Sequence, residues 1–329
     1  MEVCLHAVPE KVYAVKIISK TKLIREGKAK TAVAERSALA KLGSGKHAGF
    51  LRLYNAFQDP THLYLVMDVA QGGDLQLLVK EYGSFSHRVA RYYTAQIVDA
   101  VLWMHSQGVL HRDLKPENAL LDANLRIKLA DFGCVYIAQN SDLSPRKSTF
   151  VGSAAYVSPE LLDKTLKTTS AASDIWAIGC ILFYLVSGQL AFLAPTDYLT
   201  FKKIEAHNYS FPEGFYDDAK DLVERLLILE PSDRLGVAPK SSPVALREHQ
   251  FFSSGNIVGG RSEKIGDGLS GNIDDGKSAS HDEPGIDWDS LWTGEQIKLE
   301  SGIRAPTPME PEEQSFDSFV ADFSRTTID

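Results

Sequence analysis

The stretch His111-Arg112-Asp113-Leu114-Lys115-Pro116-Glu117-Asn118, followed by Asp131-Phe132-Gly133, constrains this chain more than any other feature. Each residue type has its own chemical logic. Asp113 can accept the proton of an attacking hydroxyl. Asn118 and Asp131 offer the hard oxygen ligands that suit Mg²⁺. Lys115 can neutralise charge that develops on a transferred phosphoryl group. A capped helix followed by a polar turn would explain neither the residue order nor the spacing.

The remaining chain supplies elements around this centre. Residues 3–8 and 12–18 read as two strands of a hairpin about Pro9-Glu10-Lys11. Lys30 to Leu42 reads as a helix, with alanines and Leu39 marking its packed face. Leu51–Phe57 and His62–Met67 read as two further strands, and Gly72-Gly73 as a turn. Asp74 suits either a helix N-cap or a ligand-binding acid. Ser86 to Gln107 is a long amphipathic helix with a Ser cap and a stop at Gly108. Ile127 to Ala130 is a short strand that presents Asp131. Asp174-Ile175-Trp176 opens a buried helix, and Phe201–His207 and Tyr216–Leu229 are two amphipathic ones. Val244 to Phe252 closes this part of the chain.

Charge divides the chain sharply. Residues 254–329 hold 6 Lys/Arg and 16 Asp/Glu, whereas residues 1–253 hold 29 and 27. A near-neutral body with an acidic tail argues against general nucleic-acid binding and direct membrane binding. The longest apolar stretch, Ile175 to Val186, is too short to span a bilayer and contains Gly179. Cys4, Cys134 and Cys180 are too few and too scattered for a disulfide framework or a zinc site, which fits a reducing, cytoplasmic setting. Cys134 reads as a small pocket residue more readily than as a reactive thiol. Residues 253–286 are rich in Gly, Ser and Asp and are expected to be disordered. From Ile286 to Leu299 the chain regains Trp288, Leu291 and Trp292, enough for a docking segment.

In order and spacing, His111–Asn118 and Asp131-Phe132-Gly133 resemble the H-R-D-L-x-x-x-N and D-F-G elements of eukaryotic protein kinases. That resemblance implies an α+β, two-lobed fold: a small β-rich lobe over residues 1–70 and a large, mainly helical lobe over 71–252, with 253–329 as a mostly disordered acidic tail. It implies ATP and Mg²⁺ as cofactors. Asp113 and Lys115 then become catalytic, and Asn118 and Asp131 become the metal ligands. Val12-Tyr13-Ala14-Val15-Lys16 resembles the V-A-I-K strand, so Ala14 roofs the adenine site and Lys16, paired with Glu35, meets the phosphates. Met67 falls at the gatekeeper position, Asp68 and Ala70 at the adenine-binding hinge, Asp74 at a ribose-binding acid and Leu120 at the adenine floor. Asp174 is expected to anchor the catalytic-loop backbone and Glu160 to pair with Arg234. Ser153 matches the small hydroxyl residue that bonds Lys115 and Asp113.

The chain also departs from the family pattern. The chain starts at Met1-Glu2-Val3 with no G-x-G-x-x-G loop ahead of the lysine strand, so the small lobe is expected to lack its first strand and the cover over the phosphates. Thr149 sits where the family carries its phosphorylated residue, with Arg112 and Arg36 as the expected partners; Tyr136 replaces the usual third partner, a lysine. Within the kinases, Gly152-Ser153-Ala154-Ala155-Tyr156-Val157-Ser158-Pro159-Glu160 resembles the upstream branch of the AGC serine/threonine kinases. That branch implies AGC-kinase activation loops as substrates; the lipid-binding domain of its animal members is not in this sequence, so phosphoinositide binding is not expected. Two other readings stay open: a kinase-fold scaffold impaired by the missing loop, and a downstream AGC kinase. Phe316-Asp317-Ser318-Phe319 resembles a hydrophobic motif that docks beside Lys20, Leu23, Ile24, Gln58 and Leu63, where Ala29 and Ala32 are small; phenylalanines without a role in a polar tail are the alternative.

Overall fold

Val12-Tyr13-Ala14-Val15-Lys16-Ile17-Ile18 is dominated by β-branched and aromatic side chains, which pack best on a pleated, half-buried surface. In the computed structural model, which describes residues 2–8, 11–140, 142–148, 152–163, 165, 167–253 and 285–305, this stretch lies inside a four-stranded antiparallel sheet. Its strands are β1 (Glu2–Val8), β2 (Lys11–Ser19), β3 (Leu53–Gln58) and β4 (His62–Met67), in the order β1-β2-β4-β3. The β2–β4 register sets Ala14 opposite Met67 and Lys16 opposite Leu65. β3 begins two residues later than the sequence suggests. Leu51 is buried ahead of it, and a register shift between Leu53 and Asn55 delays regular pairing.

Two helices complete the small lobe. Ser19 caps α1 (Lys20–Arg25) by accepting the Lys22 amide. α2 (Ala29–Leu42) buries Ala32, Glu35, Ala38, Leu39 and Leu42, one face at helical spacing. Its one buried acid, Glu35, is there for a partner on the sheet.

The large lobe is helical: α3 (Leu75–Tyr82), α4 (His87–Ser106), α5 (Pro159–Leu162), α6 (Ala171–Ser187), α7 (Asp197–Glu205), α8 (Asp217–Leu226) and α9 (Pro243–Arg247). Short strand pairs link its loops: β5 (Val109–Leu110) with β8 (Tyr136–Ile137), β6 (Ala119–Leu121) with β7 (Ile127–Leu129), and β9 (Arg146–Lys147) with β10 (Thr168–Thr169). α6 is buried along nearly its whole length, as a helix apolar on all sides must be. Gly179 is required there: a Cβ would lie 2.8 Å from Leu227 Cδ2 and 3.0 Å from Leu226 Cβ, so only glycine lets α6 approach the end of α8.

Helix boundaries moved where side chains compete with periodicity. α7 starts at Asp197, earlier than the apolar pattern suggests, because Thr196 caps it while Tyr198 and Leu199 stay exposed. α8 stops at Leu226, since the carbonyls of Ile228 and Leu229 turn to the Arg234 guanidinium. Residues 285–305 run along the large lobe: Ile286 N donates to Phe252 O at 2.8 Å, Leu291 is buried, and Gly302 N donates to Ser84 O at 2.9 Å. The region expected to be disordered lies almost wholly outside the described residues. Among the described residues no helix is long and apolar enough to cross a membrane.

Candidate active site

The site forms where the small sheet, α2 and the loops between β5 and β8 meet. β2 delivers Lys16 into the cleft, where it is 7% exposed, and its Nζ pairs with Glu35 Oε1 from α2. Burying an ammonium this deeply is costly unless a carboxylate pairs with it. The same Nζ lies 3.4 Å from Asp131 Oδ1, so one cation joins the sheet, the helix and the large lobe. Asp131 has φ 55°, in the left-handed region, and its side chain is 47% exposed. The next residue, Phe132, is fully buried, with ring centroids 5.1 Å from His111 and 6.3 Å from Phe50. Burying Phe132 below turns the Asp131 carboxylate up to Lys16.

The loop after β5 is held from underneath. Asp174, 1% exposed on α6, accepts His111 N at 3.0 Å, Arg112 N at 2.9 Å and His105 Nε2 at 2.8 Å. These donors let Arg112 keep a left-handed φ of 68°. Burial alone would raise the Asp174 carboxyl, but the His105 hydrogen bond, nearby histidine charge and the Arg112 amide hold it below the usual range. Glu160 and Asp99 are also held low against burial by their partners. The stability these three carboxylates contribute is therefore expected to be flat at neutral pH. It should fall as the pH drops through the unfolded carboxyl value of about 4 and on through the lower folded-state values. Urea unfolding followed from pH 7 to about pH 3 checks this; an undiminished midpoint at the acid end would contradict it.

The upper edge of this loop carries the acid. Asp113 Oδ1 accepts Ser153 N at 3.0 Å and Oδ2 accepts Asn118 Nδ2 at 3.2 Å. Lys115 Nζ lies 3.1 Å from Asp113 Oδ2 and donates to Ser153 Oγ at 2.8 Å. Gly152, at φ 101°, lets the following segment cross here: a Cβ would sit 2.9 Å from both Arg112 O and Asp113 Oδ1. Asn118 spends its amide N–H groups on Asp113, which orients its oxygen away from that acid. Asn118 and Asp131 thus present one neutral and one charged hard oxygen, a donor pair that fits Mg²⁺.

The residues expected to enclose the base lie on β2, β4, β6 and the hinge. Ala14 and the buried Met67 face each other across β2 and β4, and Leu120 on β6 bridges to Asp74. The hinge is tied to β6 through Gly72 N to Leu121 O and Leu121 N to Gly73 O, both 2.9 Å. Asp68 is already engaged: its amide donates to Arg52 O, and its carboxylate accepts Arg52 N at 2.9 Å and Tyr54 Oη at 2.7 Å. Of its backbone groups, only the carbonyl is left for a ligand. Ala70 follows, half-buried. Asp74 Oδ1 accepts Leu77 N at 2.9 Å, so of the two roles the sequence allows, the cap is the one in place.

The regulatory residues are less gathered. Thr149 lies outside the described residues. Arg112 donates from Nε to Cys134 O, from Nη2 to Val135 O at 3.4 Å and from Nη1 to Ser148 Oγ at 3.1 Å. Arg36 lines a groove between α2 and strands β2, β4 and β3 with Ile18, Ala32, Ala56, Gln58 and Leu63. Burial, then the Asp113 charge, pushes the Cys134 thiol up, away from reactivity. Sequence reasoning missed Arg146, whose guanidinium stacks 4.2 Å from the Tyr136 ring centroid, so a cation stands over the residue that replaces the expected lysine. The basic Ser144–Thr149 stretch was the available signal. It also missed the cluster of His47, Asp99 and Trp292, for which periodicity gives no sign.

The family model for the protein kinase domain matches residues 2–252. Human 3-phosphoinositide-dependent protein kinase 1 is 42% identical over 242 residues, covering 74% of this chain and 43% of that protein. Serine/threonine-protein kinase PKH1 of Saccharomyces cerevisiae is 42% identical over 261 residues, covering 76% of this chain and 33% of that protein. A human protein described as putative 3-phosphoinositide-dependent protein kinase 2 is 42% identical over 242 residues and is covered over 60% of its length. The chain therefore spans between a third and three fifths of these relatives. With the motif residues assembled between a small sheet lobe and a mainly helical one, and with this match over residues 2–252, the chain belongs to the protein kinase domain family.

Proposed function

We propose that this chain is a serine/threonine protein kinase that transfers the γ-phosphoryl group of ATP to a protein hydroxyl. The observation that carries the reading is the three-way junction of Lys16 with Glu35 and Asp131, above Asp113 and Lys115. Bound Mg²⁺–ATP supplies the transferable phosphoryl group and the divalent charge that offsets its oxygens. Lys16, fixed by Glu35, holds the α- and β-phosphates, and Ala14, Met67, Leu120 and the hinge at Asp68 and Ala70 enclose the base. Asp74, through the oxygen not used on Leu77, would meet the ribose. Asn118 and Asp131 hold the metal. Asp113 orients the incoming hydroxyl and takes up its proton, and Lys115 steadies charge between it and Ser153. Such a site works by positioning and electrostatics, which rewards the rigid support from Asp174.

The names of the relatives and the Gly152–Glu160 stretch support a finer assignment: the substrates are activation segments of AGC kinases. Thr149 is the proposed phosphorylated residue, with Arg112 as a partner. Arg36, the other expected partner of Thr149, also lines the groove with Ala32, Gln58 and Leu63, where a partner's phenylalanine-containing segment would dock. The tail's own Phe316–Phe319 motif, its intramolecular alternative, lies outside the described residues. The test is incubation with Mg²⁺ and γ-labelled ATP and a set of Ser, Thr and Tyr peptides. Label is expected on Ser and Thr and not on Tyr; a folded protein that binds nucleotide yet labels none of them would overturn the reading.

A further inference from the structure

A single carboxylate, away from the cleft, gathers donors from three separate parts of the chain. Asp99, 8% exposed on α4, accepts Trp292 Nε1 at 2.7 Å and His47 Nε2 at 2.9 Å on Oδ2, and Arg247 Nη2 on Oδ1. Trp292 belongs to the segment 285–305, Arg247 to α9, and His47 to the loop between α2 and β3. The His47 ring is boxed in: it stacks on Trp103 at 5.1 Å and meets Phe50 and Trp292 edge-on at 5.4 and 5.1 Å. Its Nδ1 accepts Gly49 N at 3.0 Å, which leaves the Nε2 proton to point at Asp99.

This cluster is linked by contacts to the cleft. Gly49 O accepts Leu129 N at 2.8 Å, and Ala48 O accepts Lys128 Nζ at 2.5 Å. Phe50 bridges to Leu129, two residues before Asp131, and its ring faces Phe132. In the other direction the loop continues from α2, which carries Glu35. The fit at Trp292 is tight, since a Cβ on Gly49 would lie 2.9 Å from its Cη2. One loop therefore reaches both the Glu35 helix and the strand that presents Asp131, and it is fastened by Asp99 and Trp292.

We propose that Trp292 is a positioning residue: through Asp99 and His47, the segment 285–305 braces the loop at residues 47–50 and so holds Glu35 and Asp131 in register with Lys16. The proposal deepens the kinase reading and rests on it. An indole N–H on a carboxylate is a charge-assisted bond, stronger than a neutral one, and the ring adds contact that a freely moving loop would lack. Losing both should loosen the nucleotide-binding geometry more than the chemical step.

The test compares wild type with Trp292→Ala, Trp292→Phe (which keeps a ring but loses the N–H) and Leu222→Ala, a core truncation on α8, outside this cluster. For Trp292→Ala, KM for ATP is expected to rise about tenfold and kcat to change less than about threefold, with Trp292→Phe in between. In nucleotide-free protein, hydrogen exchange at the Gly49 and Leu129 amides should speed up about tenfold in Trp292→Ala. Leu222→Ala should lower the melting temperature without either effect. Unchanged exchange at these amides in Trp292→Ala, or an equal KM rise in Leu222→Ala, would overturn the brace. If wild type binds no nucleotide, the kinase reading falls, the positioning role falls with it, and the exchange result still decides whether Trp292 holds the loop.

Discussion

Replacing Asp131 with asparagine is expected to abolish phosphoryl transfer, with a loss in kcat of at least about a hundredfold, while the fold stays intact. The substitution removes the charge that faces both Lys16, at 3.4 Å, and the proposed metal. It adds no backbone strain, because asparagine tolerates the left-handed region at φ 55° better than most residues. Nor does it open the core, since this side chain is 47% exposed and the buried Phe132 anchor is untouched. Label transfer and thermal melting measured together check the prediction. Undiminished transfer by the variant would remove Asp131 from the chemistry, and collapse of the melt would show a structural role instead.

The largest effect on stability is expected at Arg234. Its guanidinium is fully buried and grips Glu160 in two parallel bonds, Nη1 to Oε1 at 2.9 Å and Nη2 to Oε2 at 2.7 Å. It also donates to the carbonyls of Ala172 and Ile228, both at 2.8 Å, and lies 5.0 Å from the Trp176 ring centroid. Arg234→Ala would leave the Glu160 carboxylate buried, with Ser173 Oγ still donating to it but the guanidinium gone. Stranding one half of a buried pair costs about 3–5 kcal/mol, a large part of the ~5–15 kcal/mol that holds a typical domain. Replacing both partners at once, Arg234→Met with Glu160→Gln, should recover part of the loss, since no buried charge is then left alone. Urea unfolding of the single and double variants measures this. A single variant within about 1 kcal/mol of wild type would show that Glu160 finds other partners or water.

The helices and strands were legible where hydrophobic period and capping agree. α4 follows its Ser86 cap and its stop before Gly108, and β4 runs from His62 to Met67 as alternation suggests. Legibility failed where a side chain overrode the pattern. Apolar Tyr198 and Leu199 are exposed, so the first turn of α7 was invisible to an argument from burial. Leu227 to Leu229 look helical, yet the His207 ring takes the Leu227 carbonyl and Arg234 takes those of Ile228 and Leu229. The Asp99 cluster joins residues 52 and 193 positions away from that aspartate, and no local property of His47 or Trp292 announces it.

By itself the sequence determined the chemical inventory and the family. A loop holding Asp113, Lys115 and Asn118, with Asp131 a short distance on, requires hard oxygens and charges in a set order, and order along a chain is what a sequence records. The tertiary structure alone decided which groups meet. Lys16 comes to 3.4 Å from Asp131 across 115 residues, Asp174 reaches back 62 residues to the Arg112 amide, and Arg36 turns to the groove beside β3 and β4. The physical reason is that a buried charge or polar group must find its partner in space. Which partner it finds depends on how the sheet, α2 and α6 pack together, and that packing is a property of the whole core.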